Sequence, residues 1–189
     1  MWTSINKKIY VVLSVILIIG ISLGIVFLIM QDEAYKEILY LNINEYIQGN
    51  NNINNILIHL VSLSTIFLMS LFVIGIPLVI FFLFYNGFSI GFTICSLTNI
   101  FGIKGLLYGI IYILISKGIF ILFLIIFSVT LFKIIKELID VFINKSNNKD
   151  MLVLLIKKAL LCVLIIFIND IILYFGGVKL INLFNFIIN

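Results

Sequence analysis

Arginine is absent from this chain, and histidine, tryptophan and proline occur once each among its 189 residues. Cysteine occurs twice. Each scarcity excludes something. His59 alone is a thin basis for metal or acid–base chemistry, and the G-x-S-x-G, H-E-x-x-H and P-loop signatures are missing. No pair of aspartates occupies an apolar run, so an intramembrane hydrolase has no support. Cys95 and Cys162 sit in apolar runs without a C-x-x-C or histidine partner, and they read as buried, hydrophobe-like thiols. Charge is scarce too, at 11% of residues, where a soluble domain carries about 25%. All 12 basic residues are lysine, which with abundant isoleucine and asparagine reads as AT-rich coding rather than chemistry. The net charge of +4 is a topology signal and not a nucleic-acid patch; no nucleic-acid partner is expected.

What is abundant is apolar surface. Hydrophobic residues make up 63% of the chain, with 18 phenylalanines, more than one soluble core can hide. Lipid must therefore solvate much of it. The apolar runs are long and do not alternate, so the fold class is all-α, a polytopic transmembrane bundle and not a barrel. The first run is too long for a cleavable leader, and no small-residue cleavage site follows it.

The runs divide as one integral membrane domain, residues 1–189, with about five spans. The first is 9–30, after Lys7 and Lys8. Residues 31–56 are polar, but Tyr35, Ile38, Leu39, Leu41 and Tyr46 fall near helical spacing, with Asp32, Glu33, Glu37 and Glu45 among them. This predicts a short amphipathic helix at the interface, ended by Gly49 and Asn50–Asn52. The second span is 56–85, kinked at Pro77 with Gly75 easing the bend. A short third run, 88–101, covers only about 21 Å at 1.5 Å per residue. The fourth span is 105–132 and the fifth 152–175. After Gly176-Gly177, residues 178–188 are too short to cross and are placed at the interface.

Lysine asymmetry orients the spans. Lys7 and Lys8, and the basic segment 133–150 with the nearby Lys157 and Lys158, should both be cytoplasmic. An even number of crossings must separate them, so the short run 88–101 has to cross as well. The loop 31–56 and the C-terminus are then external. A large partner must be held through the spans or that loop.

Three glycine pairs four residues apart occur: Gly20/Gly24, Gly87/Gly91 and Gly105/Gly109. Such pairs let helix backbones approach closely, first within the chain and alternatively between subunits. Lys117 lies midway along the fourth span, about 18 Å from its outer end, and Asp170 about 8 Å from the outer end of the fifth. A charge at that depth is a functional hypothesis by default. It reads as an ion pair with Asp170, a polar groove, or a lysine tolerated in a watery crevice. His59 lies at the outer edge of its span, in a solvated position. No cofactor or metal site is expected.

Gly75-Ile76-Pro77-Leu78, Asn86-Gly87, Gly91-Phe92-Thr93, Gly102 and Gly105-Leu106-Leu107 carry a resemblance. Over 75–118 the sequence resembles the stage II sporulation protein M family of polytopic membrane proteins, and its layout of spans is similar from end to end. Broader relatives carry Pro-His-Gly with a Glu three residues later. Here Ser116-Lys117-Gly118 and Ile121 stand instead, which favours the sporulation branch. The resemblance implies a role in engulfment of the forespore at the mother-cell septal membrane. It implies a scaffold that recruits two peptidoglycan-degrading partners, the stage II sporulation proteins D and P, to which the chemistry would belong. The expected function is thus non-enzymatic. Tyr35, Glu37, Ile38, Leu41 and Glu45 form the most accessible place for an external partner. The alternative is a transporter or permease subunit, on the strength of the kinked span, the short span and Lys117.

Overall fold

A computed structural model describes the backbone of residues 2–47, 61, 75–144 and 149–188, and the side chains within 7–39, 41, 61, 75–141 and 150–173. The described backbone is helical apart from the turn between the first two helices and one break. The helices are α1 (Trp2–Ile29), α2 (Glu33–Ile47), α3 (Gly75–Asn144) and α4 (Lys149–Ile188). Three of them contain stretches long and apolar enough to cross a membrane: Lys7–Ile29, Gly75–Val141 and Asp150–Leu173. The protein is an all-α membrane protein.

The ends of α1 and α2 are set locally. Met30 N–H donates to the Val26 carbonyl and Gln31 N–H to that of Leu28, closing α1. The Asp32 carbonyl then accepts from Tyr35 and Lys36, which makes Asp32 the cap of α2. Glu33 in the first turn suits the positive end of the helix dipole.

The 70 residues of α3 are not one rod. At Gly102 the backbone takes φ 61° and ψ −140°, a conformation open to glycine and strained for other residues. There the chain doubles back. Gly105 returns against Leu97, Gly109 lies near Leu97 and Ile94, and Lys117 reaches Ser89. Partner numbers fall on one arm as they rise on the other, so α3 is an antiparallel hairpin of arms 75–101 and 103–144. At 1.5 Å per residue the arms are about 40 Å and about 63 Å long. Each exceeds a hydrocarbon core of about 30 Å.

One expected boundary therefore moves. The break between 56–85 and a short run 88–101 is not there: the helix passes unbroken from Gly75 to Phe101. Asn86 donates its side-chain amide to the Phe82 carbonyl of its own helix at 2.8 Å, which supports the turn instead of opening it. In lipid a helix keeps its backbone bonds, because no water replaces them. α4 is helical through Gly176-Gly177 to Ile188, and its stretch long and apolar enough to cross is Asp150–Leu173, beside the expected span 152–175. The bend expected at Pro77, in the first turn of the described arm, falls against residues outside the described set. So do His59, the expected start of the second span, and the Glu45 and Tyr46 side chains.

α1 lies along the first arm, and the two run in the same direction. Gly20 faces Phe84, Gly87 and Phe88; Gly24 faces Phe88 and Phe92; Gly87 faces Leu17 and Ile21; Gly91 faces Ile21. The other face of the hairpin packs on α4. Val79, Leu83, Phe120, Leu124, Phe127, Leu131, Ile134, Leu155, Ala159, Cys162 and Ile166 form one buried cluster. Ala159 is fully buried, and its lack of bulk lets α4 approach the second arm.

Candidate functional site

The site is the hairpin crossing, where the glycine pairs, the half-buried Lys117 and a line of polar side chains come together. Gly20/Gly24 and Gly87/Gly91 interlock across α1 and the first arm. A Cβ on Gly91 would sit on the Ile21 carbonyl oxygen, one on Gly24 on that of Phe88, and one on Gly20 at 2.5 Å from that of Phe84. Backbone carbonyls cannot move aside as side chains do, so all four positions require glycine. Gly105 has the same relation to the Leu97 carbonyl within the hairpin, whereas Gly109 meets the Leu97 side chain at 3.3 Å, a looser fit. The three pairs thus serve contacts within one chain. Beyond this crossing Phe27 lies 5.5 Å from Phe88 and 6.4 Å from Phe92, ring centre to ring centre.

Lys117, on the second arm, donates from Nζ to Ser89 Oγ at 3.0 Å. The partner seen for it is a hydroxyl across the hairpin, and the bond ties the two arms together. Asp170, on α4, is half-buried and has an interaction of its own.

Ser89 belongs to a stripe the sequence reading did not single out. Asn86, Ser89, Thr93 and Ser96 follow at helical spacing on one face of the first arm. Asn86 and Ser96 are buried. Thr93 donates to the Ser89 carbonyl and Ser96 to the Phe92 carbonyl, each at 2.7 Å. This back-bonding satisfies hydroxyls that have no water. Two buried polar atoms make no such bond: Ser116 Oγ, next to Lys117, and Asn169 Nδ2, next to Asp170. The spacing of Asn86, Ser89, Thr93 and Ser96 was the available signal. A break expected at Asn86-Gly87 separates Asn86 from Ser89, Thr93 and Ser96, and hides the stripe's full length.

The opposite rim of the site is α2, which touches α3 lightly. Tyr35, Ile38 and Leu41 are exposed, at 39%, 58% and 59%, and Glu37 is exposed beside them. Lys36 pairs with Glu33 at 3.8 Å on the surface. Among the described residues no three histidine, cysteine or acidic side chains are grouped as metal ligands. Compared with family models, with curated proteins and with solved structures, the chain matches none.

Proposed function

We propose that this protein is a non-enzymatic membrane scaffold of the stage II sporulation protein M type, which recruits peptidoglycan-degrading partners to the septal membrane during forespore engulfment. One observation carries the reading. The residues behind the resemblance include Gly87, Gly91, Gly102 and Gly105, and these are the positions on which the α1 crossing and the hairpin depend. The likeness therefore rests on residues that define an architecture. The stage II sporulation proteins D and P are the partners it implies.

The topology proposed with it has five crossings. α1 and the first arm run in parallel, so the chain must return between Ile47 and Gly75. The sequence 56–74 is apolar enough to do so. With the two arms and α4, this puts Lys7, Lys8, Lys133 and Lys136 on one side, the cytoplasmic one by lysine asymmetry. α2 and the tip of the hairpin at Gly102 are then external. The exposed Tyr35, Glu37, Ile38 and Leu41 form the docking face for an external partner, and Glu45 is the further acid of the same sequence segment.

The test is a pull-down from sporulating cells in mild detergent. The two peptidoglycan-degrading proteins should co-elute with the wild type, and Glu37→Lys with Glu45→Lys should weaken their recovery while leaving membrane insertion intact. Recovery that is unaffected by the charge reversal would remove α2 from the mechanism.

A second reading, a permease subunit, is favoured by Lys117 and its hydrogen bond inside the hairpin. Genomic neighbourhood separates the two, since an adjacent ATPase gene would favour the permease and adjacent sporulation genes the scaffold.

A further inference from the structure

A cavity of about 170 Å³ opens between α1 and the hairpin, at the end of the bundle where Lys8, Lys133 and Lys158 lie. Val12, Leu13, Ile16, Ile80 and Phe132 line it, and Lys8 stands at its mouth. The accessible lining is apolar. Leu13 is buried and forms the floor, while Val12 is 56% exposed on the lipid side. A half-open groove with an apolar lining offers water no hydrogen-bond partner and suits hydrocarbon. In a bilayer the hydrocarbon at hand is an acyl chain.

The surroundings of the mouth select the headgroup. Lys8 is exposed and is the charged residue in the groove's lining. An ammonium group there favours an anion beside it. Glu137 is buried, and both it and Asp140 have partners of their own.

We infer that this groove is a binding site for an anionic glycerophospholipid, with one acyl chain in the cavity and the phosphate against Lys8. The site is separate from the hairpin crossing and from α2, and it does not depend on the scaffold reading. A lipid held there wedges α1 to both arms at the end of the bundle where Lys8 lies, beyond the reach of the glycine contacts.

The experiment uses the full chain purified in mild detergent and incubated with equal amounts of phosphatidylglycerol and phosphatidylcholine, with retained lipid counted by native mass spectrometry. A juxtamembrane lysine near an anionic surface favours binding by about fivefold. The wild type should therefore retain phosphatidylglycerol over phosphatidylcholine by about that factor. Lys8→Gln should bring the ratio to about one while lipid is still retained. Val12→Trp, which fills the groove, should lower retention of both lipids. Free glycerol phosphate should not displace the bound lipid, because it has no acyl chain. Equal retention of both lipids by the wild type would overturn the inference. So would an unchanged preference in Lys8→Gln, or displacement by free glycerol phosphate.

Discussion

Glycine and lysine do opposite things at the crossing, and substitutions should separate them. At Gly91 any side chain meets the Ile21 backbone, so Gly91→Leu should destabilise the protein by about 2–3 kcal/mol, as overpacking does. Gly118, on the same hairpin, has open space around its Cα, and Gly118→Leu should leave stability nearly unchanged. Thermal unfolding in detergent reads the difference, and equal effects at the two positions would mean that the α1 crossing is not close-packed. The Lys117–Ser89 bond gives an asymmetric prediction. Ser89→Ala leaves a half-buried ammonium short of a partner and should destabilise by about 1–2 kcal/mol. Lys117→Met removes the charge as well and should be neutral or stabilising, since a buried charge replaced by an apolar group of similar length often is. The same scan checks both. The sequence made Gly20, Gly24, Gly87, Gly91 and Lys117 legible because their spacing or charge stands out against an apolar background. Ser89 and Asn86 were not legible, because a lone hydroxyl or amide in a span announces no partner.

Among the elements, the hairpin of α3 matters most, and Gly102 is its pivot. The positive φ there is strained for any side chain even though space is available. Gly102→Ala should therefore destabilise by about 1–3 kcal/mol through the backbone alone, whereas Gly118→Ala should not. Comparison of the two alanine variants by thermal unfolding checks this; identical unfolding would place the turn elsewhere. The ends of the two arms around Gly102 could be read from sequence, since Phe101 closes one apolar run and Gly105 opens the next. The start of the first arm could not. Asn86-Gly87 looked like a break because glycine and asparagine end helices in water, where solvent takes over the freed backbone groups. In lipid the helix continues, and Gly87 serves close packing instead. The polar composition of 31–56 with its periodic Tyr35, Ile38 and Leu41 did indicate a helix, and α2 is there.

For the whole molecule, membrane character followed from composition, and the proposed sidedness rests on where the lysines gather. Cysteine introduced at Asn51 should label from outside intact cells, and cysteine at Ser146 only after permeabilisation, with Cys95 and Cys162 replaced to clear the background. Labelling of residue 146 from outside would overturn the five-crossing topology. The function was legible only as far as a resemblance could take it, because no described constellation in the chain carries chemistry of its own. The proposal is that the chain positions wall hydrolases and does not cut. The direct measurement is release of soluble fragments from isolated peptidoglycan, by the purified chain alone and by the complex eluted with it from sporulating cells. The account predicts no release by the chain alone and digestion by the complex. Digestion by the purified chain itself would contradict it.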